Sequence, residues 1–387
     1  MEAAHSVKTI NSINDSFPLF DKVTAYLMSS GRLNGKTIGW HCHLTELTAL
    51  AVKAAIAGGA QVVLSECNST TSQKHAIDYM RELGATIYLG ANSVANTLAH
   101  KPHIISDTGL ELISAYIEGR HNFAWAACEI TTSGITRLKE LGAGLSLPVV
   151  NINNSRIKTY IENFHGVGDG VVESLDLLGL VKERKVITVL GYGVVGAGAA
   201  YYLRKIGADV CVVELDPVRA LIAHYDGFRV INLDKALGSS DIFISATGSI
   251  KAISREHWHK AKDGCVFINI GHWSQEFDLS QLEAMVTTKT QISTYVTEYS
   301  FEHKKIYVAA EGNPLNVVML TGSPEPTLIH LATEVLCHDH LLNIAAKSQG
   351  KPIGELADSL ELTPGEYPVP QVVEERVARM ALEVLTS

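Results

Sequence analysis

The stretch VLGYGVVGAGAA, residues 189–200, contains three glycines with the spacing of a dinucleotide-binding turn. It continues the apolar run KVITVL and leads into a helix-like segment. At Gly191, Gly193 and Gly196, backbone N–H groups can therefore approach a pyrophosphate at a helix N-terminus. The next apolar run, DVCVVELD, brings Glu214 to its end. A carboxylate there accepts hydrogen bonds from the adenosine ribose and repels a 2′-phosphate, so the pattern predicts NAD rather than NADP.

Two later apolar runs, DIFISATG and CVFINIGH, provide further residues for this cofactor. They end at Thr247-Gly248 and at Gly271-His272. The carboxyl ends of strands in such a sheet line one crevice. We therefore expect these two turns to face the nicotinamide half of the dinucleotide.

A second group of polar residues follows the apolar runs of the first 155 residues. Ligands of open α/β sheets bind outside the carboxyl ends of the strands, so we expect these residues to share one rim. The alternative is that they cap helices and form turns, as Asn, Asp and Thr often do. The residues are His43, Cys67 with Asn68, Asn92, Asp107, Glu129 with Thr131, and Asn153.

The elements that position these residues are apolar runs alternating with helical segments, a pattern that predicts α/β domains with parallel sheets. The runs KTIGW, AQVVLS, ATIYLG, HIIS, FAWAA and LPVV form the first sheet, and a second unit begins at Lys185. The segment TGSPEPTLIHLATEVL is predicted to return to the first domain as a helix. We therefore predict a Rossmann-type NAD-binding domain, residues 166–322, inserted in a discontinuous substrate domain of residues 1–165 and 323–350.

Residues 351–387 are predicted to form a Pro-rich C-terminal tail that ends in a helix. Val373, Val377, Met380 and Val384 lie on one face of that helix. Packing against a partner subunit and packing against the protein's own body explain this apolar face equally well.

Composition excludes several classes of protein. The chain has 387 residues, 46% of them hydrophobic, and a formal net charge of −9, which argues against a nucleic-acid partner. It contains no apolar run long enough for a membrane span and no secretory signal, so we expect a cytoplasmic protein. The six cysteines form no CxxC pair, and His41-x-His43 and the CHDH run at 337–340 make weak metal sites, so no metal is predicted.

Linked motifs recur in order along residues 35–335: HLTELTA, ECNSTTSQKHA, SDTG, EITTSGITRL, NINNSRIKTYIEN, GYGVVGAG, DIFISATGSI, NIGHW and EGNPLN. In these motifs the chain resembles the S-adenosyl-L-homocysteine hydrolase family. The resemblance implies a split substrate domain, a NAD domain and a homo-oligomer, either a dimer or a tetramer. It also implies a small nucleoside-type substrate.

The resemblance further implies that NAD stays bound and works as a catalyst. In that family it oxidises the ribose 3′ carbon, and the ketone acidifies the neighbouring 4′ C–H. A base removes this proton and the group on the 5′ carbon leaves. Water then adds to the alkene and the ketone is reduced again, so the net reaction is not a redox reaction.

Carried onto this sequence, the resemblance implies a catalytic set of five residues. Lys158 matches a lysine near the 3′-hydroxyl, and Glu162 stands where the family has a paired aspartate. Asp107 matches the acid–base group near the 4′ and 5′ carbons. His43 matches the histidine that assists the leaving group and water, and His272 one near the 3′ position. Because Lys158 and Glu162 are four residues apart, a surface ion pair on a helix is the alternative for those two.

The same match assigns binding residues. For the substrate they are Thr45, Cys67, Asn68, Gln73 and Thr131. For NAD they are Thr131, Thr132, Ser133, Asn153, Asn163, Gly191, Gly193, Val194, Val195, Gly196, Glu214, Thr247, Gly248, Ile270, Gly271, His272 and Asn316.

The chain departs from the family at positions that recognise the substrate. Leu47 stands where the family has a glutamate that binds the adenine amino group, and Ile130 where it has an acid that holds ribose hydroxyls. Ser323 replaces a gate histidine and Val167 a cysteine near the nicotinamide. The C-terminal lysine and tyrosine that reach a neighbouring subunit's NAD have no counterpart in ARMALEVLTS.

These departures shape the functional hypothesis, because the groups for oxidation, deprotonation and elimination persist while those that recognise the base and ribose are lost. We expect an adenosylhomocysteinase-like enzyme that acts on a substrate other than S-adenosylhomocysteine. The alternatives are a genuine S-adenosyl-L-homocysteine hydrolase and a catalytically inactive NAD-binding regulatory relative.

Overall fold

Two units make up the chain in a computed structural model that describes residues 10–180, 185–271, 273–301, 303–347 and 363–386. Unit 1 comprises the described residues up to Thr159 and from Pro324 onward, and unit 2 comprises Tyr160–Ser323. The chain leaves unit 1 within a π-helix, Ile157–Gly166, and re-enters it between Ser323 and Pro324. The assignment of substrate to unit 1 stays a prediction.

Unit 1 is built on a seven-stranded sheet of order β15-β6-β5-β4-β1-β2-β3, in which every neighbouring pair is parallel. The central strands are buried along their whole length, as expected where helices cover both faces of a parallel sheet. The strands are β1 Thr37–Cys42, β2 Gln61–Glu66, β3 Thr86–Tyr88, β4 Ile104–Asp107, β5 Ala126–Glu129, β6 Pro148–Asn151 and β15 Gly365–Pro368.

The helices of unit 1 begin where the sequence provides caps. Thr45 and Thr131, for example, accept hydrogen bonds from the backbone N–H groups of Thr48 and Gly134 through their side chains. The helices are α1 Leu19–Ser30, α2 Glu46–Ala57, α3 Lys74–Glu82, α4 Ser93–Leu98, α5 Glu111–Glu118, α6 Thr132–Leu141, α14 Glu325–Lys347 and α15 Gln371–Leu385, with a 3₁₀ turn at Gly142–Gly144.

The described part of the predicted C-terminal tail belongs to unit 1. Strand β15 pairs with β6, from Gly365 opposite Pro148 to Pro368 opposite Asn151. On α15, Val373 and Val377 are buried within the unit, so the protein's own body covers this part of the face, whereas Met380 and Val384 are half-buried. Strand β15 was not predicted, because a short segment with a proline lacks a strand pattern; its position at the edge of the sheet tolerates that proline.

Unit 2 has an eight-stranded sheet. Six strands in the order β9-β8-β7-β10-β11-β14 are parallel neighbours, which is the 3-2-1-4-5-6 order of dinucleotide-binding folds. Two antiparallel strands, β13 and β12, extend the sheet beyond β14. The strands are β7 Val186–Leu190, β8 Asp209–Val213, β9 Arg229–Val230, β10 Ile242–Ser245, β11 Val266–Asn269, β12 Thr288–Gln291, β13 Val296–Phe301 and β14 Lys304–Ala309.

Helices cover this sheet, and apolar side chains from both layers form two clusters around Val189 and Phe267. The predicted α/β class with a Rossmann-type unit is therefore confirmed, and the antiparallel pair is an addition to it. The helices are α7 Val167–Leu177, α8 Val194–Lys205, α9 Pro217–Tyr225, α10 Leu233–Ser239, α11 Arg255–Lys260, α12 Leu279–Glu283 and α13 Leu315–Met319, with 3₁₀ turns at Ser274–Glu276 and Ala310–Gly312. No helix within the described ranges has both the length and the apolar character needed to cross a bilayer.

Candidate active site

The glycine turn of unit 2 is closed by contacts that exclude side chains. A Cβ on Gly196 would lie 2.0 Å from the carbonyl oxygen of Gly191, and one on Gly191 would lie 2.8 Å from the carbonyl oxygen of Ala246. Gly191 also has a φ of 94°, which favours glycine. These two residues thus let β7 pass tightly into α8. Gly193 differs, because a Cβ there would meet only the Arg219 guanidinium, at 3.6 Å.

Three features of unit 2 fit a bound dinucleotide. The N-terminus of α8, where Val194 and Val195 lie, has no side-chain cap, so its first N–H groups can bind phosphate. Glu214, at the end of β8, accepts hydrogen bonds from the Tyr192 and Asp216 N–H groups at 2.6 and 2.9 Å, which holds its carboxylate beside the turn. The Oδ1 atom of Asn316 is buried and has no partner within the described part of the chain.

A buried glutamate, Glu276, organises the two turns that were predicted to face the nicotinamide. Its Oε2 accepts hydrogen bonds from the Thr247 N–H at 3.0 Å and the Thr247 hydroxyl at 2.7 Å, and also from the Ser245 hydroxyl. Its Oε1 accepts the Gly248 N–H at 3.0 Å and lies 1.8 Å from where a Cβ on Gly271 would be. Glu276 thus binds the turn after β10 through hydrogen bonds and packs closely against Gly271 in the turn after β11. The predicted site residue His272 lies outside the described residues.

Replacing Glu276 with glutamine should weaken NAD binding by roughly 5- to 150-fold. An amide offers one acceptor instead of two and turns its NH₂ toward a backbone N–H, which costs about 1–3 kcal/mol. The Kd is measured by titrating NAD into protein stripped of its cofactor. Glu283→Gln serves as the control, because Glu283 is an exposed carboxylate of unit 2 paired with Lys289. Equal NAD affinity in the two variants would contradict this role.

In unit 1, a row of buried polar residues crosses the carboxyl ends of neighbouring strands. Ser65 pairs with His41, Asp107 with Glu129, and Glu129 with Asn151, and the β1–β4 register places His41 beside Asp107. All five side chains are buried. Burial lowers the pKa of His41, whereas the nearby Asp107 carboxylate acts to raise it. Of the residues predicted to share a rim, Asp107 and Glu129 belong to this buried row, whereas Asn92 is exposed.

Asp107 is fully buried at the end of β4. Its Oδ1 accepts the Thr108 N–H at 2.9 Å and its Oδ2 the Ile113 N–H at 2.7 Å, in the first turn of α5. Burial raises the pKa of this carboxyl group, although His41 and the backbone N–H donors act in the opposite direction. A buried carboxyl group with a raised pKa binds a proton more readily than an exposed aspartate does, which suits an acid–base role.

The loop after β1 carries several predicted substrate residues. The Nδ1 atom of His43 lies 2.6 Å from the Thr71 hydroxyl, and its carbonyl accepts the Thr48 hydroxyl at 2.7 Å. The side chain of Gln73 accepts the Glu46 N–H at 2.8 Å, which joins this loop to the one after β2. Two more predicted residues, Cys67 and Asn68, are half-buried on that second loop.

The threonine run at the start of α6 has structural partners. Thr131 donates its hydroxyl to Glu129 at 2.6 Å and caps α6, so the capping alternative applies to it. The Thr132 hydroxyl donates to Asn153 Oδ1 at 3.1 Å, and the Ser133 hydroxyl donates to that of Thr131. These predicted residues therefore form one connected group within unit 1.

The π-helix carries the remaining predicted residues. Lys158, in its first turn, donates its backbone N–H to the Ser155 hydroxyl at 3.0 Å and belongs to unit 1. Glu162 and Asn163 are half-buried and belong to unit 2. The segment that carries Lys158 and Glu162 is a π-helix, which has more residues per turn than an α-helix, and the alternative of an ion pair between them stays a prediction. Such helices occur frequently at functional sites.

The structure describes all four positions at which the chain departs from the family within residues 47–323. Leu47 is half-buried in the first turn of α2, and its neighbour Glu46 lies 2.7 Å from His75 Nε2. The backbone N–H and the hydroxyl of Ser323 both donate to Asp169, at 3.2 and 3.3 Å. Ile130 and Val167 are half-buried.

Sequence reasoning missed Glu129, Glu276 and His41 as site residues. Glu129 and His41 were noted only as a polar rim residue and a weak metal ligand, and Glu276 was not singled out. The signal that could have found Glu276 is its place five residues after Gly271, where a carboxylate can fold back on a glycine turn. Within the residues that the structure describes, no group of three His, Cys, Asp or Glu side chains could hold a metal ion.

Comparison with known proteins finds a family model that matches unit 2 and relatives that match most of the chain. A family model described as "S-adenosyl-L-homocysteine hydrolase, NAD binding domain" matches residues 163–322. An adenosylhomocysteinase of Archaeoglobus fulgidus is 33% identical, over 91% of this chain and 87% of its own length. An S-inosyl-L-homocysteine hydrolase of Methanopyrus kandleri is 32% identical, over 95% and 88%. A protein of the same name from Methanocaldococcus jannaschii is 32% identical, over 84% and 82%.

Proposed function

Because this chain belongs to the S-adenosyl-L-homocysteine hydrolase family, we propose that it cleaves, and in reverse forms, the 5′ C–S bond of an S-nucleosyl-L-homocysteine whose base has an oxo group at position 6. S-inosyl-L-homocysteine is such a compound. The observation that carries this proposal is Leu47, at the position that the resemblance assigns to recognition of the base. Family membership itself makes the protein an adenosylhomocysteinase-like enzyme with NAD as its cofactor.

The chemistry of the base supports the choice. A 6-amino group donates hydrogen bonds and pairs with a carboxylate, whereas a 6-oxo group accepts them and would be repelled by one. Leu47 offers no acceptor, and the adjacent Glu46 is already engaged with His75 at 2.7 Å. Relatives with both printed names are about equally similar to this chain, so their identity does not decide between the two bases.

Bound NAD would supply a reversible oxidation of the ribose 3′ carbon, and this oxidation makes the neighbouring 4′ C–H acidic. Gly191, Gly193, Gly196, Glu214 and Asn316 are the residues proposed to hold it. The turns fixed by Glu276 complete this set.

The chain's own residues then move protons. In this proposal Lys158 is the base at the ribose, and Asp107 carries the acid–base step near the 4′ and 5′ carbons. His43 gives a proton to the leaving sulfur and takes one from the incoming water, so water is consumed and a free thiol is released. The raised pKa of Asp107, caused by burial, supports its role as a proton carrier.

The test compares two substrates with a thiol reagent. Wild-type protein purified with its NAD should release homocysteine from S-inosyl-L-homocysteine at least tenfold more efficiently than from S-adenosyl-L-homocysteine. The opposite preference would make the protein a genuine S-adenosyl-L-homocysteine hydrolase. Absence of thiol from both substrates would leave the regulatory relative as the better hypothesis.

Leu47→Glu should shift this preference toward the adenosyl substrate by roughly 10- to 150-fold. The reason is that a hydrogen bond to a charged group contributes about 1.5–3 kcal/mol, and the new carboxylate can accept one from the 6-amino group. Leu47→Gln is the matched control, since a glutamine side chain has the shape of glutamate without its charge. An unchanged ratio of kcat/KM for the two substrates in Leu47→Glu would mean that Leu47 does not face the base. Oligomer formation and a cytoplasmic location remain predictions.

A further inference from the structure

Glu129 is a fully buried carboxyl group at the end of β5 that joins two loops of unit 1. From the loop after β4 it receives the Leu110 N–H at 2.9 Å and the Gly109 N–H at 3.2 Å. From the loop after its own strand it receives the Thr131 N–H at 2.7 Å and the Thr131 hydroxyl at 2.6 Å. All of its partners therefore lie in the loops that follow neighbouring strands.

The first of these loops has a strained backbone. Gly109 has a φ of 87° and Leu110 a φ of 66°, and a leucine seldom adopts this conformation. Such strain persists only where surrounding contacts impose it. Here the Leu110 N–H donates to Glu129 alone, whereas the Gly109 N–H is shared between Glu129 and the Thr131 hydroxyl, which lies 3.0 Å away and itself donates to Glu129. The turn also leads directly from Asp107 into α5, whose Ile113 N–H binds the Asp107 carboxylate.

The second loop is shaped to hold the Glu129 side chain. A Cβ on Gly134 would lie 2.2 Å from the Glu129 carboxyl carbon and 2.4 Å from its Oε1. The Gly134 N–H instead donates to the Thr131 hydroxyl at 3.0 Å. A glycine at this position therefore leaves the space that the carboxyl group occupies.

We propose that Glu129 is a positioning residue of the substrate site: its carboxyl group fixes the strained turn at Gly109–Leu110, and thereby the orientation of Asp107, to the threonine cap at Thr131. This inference rests on the proposed function, because that function makes Asp107 an acid–base group whose orientation affects the rate. It gives a role to a side chain that itself contacts neither solvent nor, in this proposal, the substrate.

The electrostatics of the pair agree with this role. Burial, and then the charge of Asp107, raise the pKa of Glu129 to about 8. The titratable and charged groups around the pair are His41 next to Asp107, Cys128 on the same strand, and Glu111 with Arg137, whose guanidinium donates to the Gly109 carbonyl. The pair therefore holds a proton at neutral pH.

The raised pKa of Glu129 predicts the direction in which stability changes with pH. The unfolded chain loses the Glu129 proton near the ordinary pKa of 4.5, whereas the folded chain keeps it to about 8. The folded state therefore binds more protons in this range, so the free energy of unfolding falls as pH rises through it. Glu129→Gln should make that slope smaller, and the raised pKa of the buried Asp107 accounts for a remainder of the same sign.

The experiment uses the full-length enzyme with its NAD and two variants, Glu129→Gln and Gly134→Ala. Both should speed hydrogen exchange of the Gly109, Leu110 and Thr131 amides at least tenfold, measured by mass spectrometry of the corresponding peptides. They should lower kcat by about 10²-fold with little change in KM, because a displacement of a reacting group by about 1 Å can lower the rate by that factor. Glu129→Gln alone should flatten the pH dependence of stability.

Val377→Ala is the control, since Val377 is buried in α15 of the same unit and its truncation destabilises the unit without touching either loop. A purely structural role for Glu129 predicts equal losses of stability and unchanged kcat per folded molecule in all three variants, and that outcome would overturn the proposal. Unchanged exchange of the three amides in Glu129→Gln would overturn it as well. If the wild type releases no thiol, the proposed function fails, whereas the exchange and stability measurements still decide the role of Glu129.

Discussion

Lys158→Gln is expected to lower kcat for thiol release by roughly 10²- to 10⁴-fold, the range that general acid–base groups contribute. A glutamine amide cannot take a proton from the ribose, so the step on which elimination depends is lost. The residue lies in the first turn of the π-helix, where its backbone is held by Ser155. The measurement is the rate of thiol release from S-inosyl-L-homocysteine, with NAD content checked for each preparation.

Lys139→Gln provides the control for this variant, because Lys139 is an exposed lysine of α6 in the same unit. A second readout is the entry of solvent deuterium at the 4′ position of the product nucleoside, which should disappear in Lys158→Gln and persist in the control. Full deuterium entry together with a normal kcat in Lys158→Gln would remove this lysine from the mechanism.

Gly196→Ala should weaken NAD binding strongly, with a Kd raised by roughly 5- to 150-fold. The added methyl group would lie 2.0 Å from the Gly191 carbonyl oxygen, so β7 and α8 would have to separate at the turn that holds the pyrophosphate. Forcing extra volume into a close-packed position typically costs about 1–3 kcal/mol, and the backbone here has no flexible side chain to yield. The measurement is the NAD retained after gel filtration, followed by titration.

Gly238→Ala is the matched control for that variant. It makes the same substitution in α10 of the same unit, where a Cβ would meet nothing within 4 Å. Stability and NAD content should therefore stay at or slightly above those of the wild type. If Gly196→Ala retained NAD as well as Gly238→Ala does, the glycine turn would not be the cofactor site.

The alternation of apolar runs with helical segments was enough to predict both parallel sheets and the Rossmann-type unit. The family match confirms the cofactor predicted from the glycine spacing and Glu214. The antiparallel strands β12 and β13 were not predicted. Strand β12, Thr288–Gln291, is exposed along its whole length, so it lacks the hydrophobic pattern that identifies a buried strand.

The positions of Asp107 and His43 at the ends of β4 and β1 were predictable, because a polar residue follows an apolar run in the sequence, and their roles stay predictions. The candidate site was not predictable where a buried carboxylate binds loops that are distant in sequence. Glu276 reaches Thr247 across 29 positions, and Glu129 reaches Gly109 across 20. At Glu129 nothing in the local pattern distinguishes the glutamate from an exposed one, and at Glu276 the local signal is its place five residues after Gly271. The N–H donors on which both roles depend are brought together only in the folded chain.

The outermost strand of the first sheet has a consequence for synthesis on the ribosome. Strand β6 emerges early, but its neighbour β15 is made only after all of unit 2 has been translated. Until then the backbone of β6 presents an unpaired edge to the crowded cell, and such edges attract other chains. Newly made molecules should therefore depend most on chaperones during the interval in which the inserted unit has already folded.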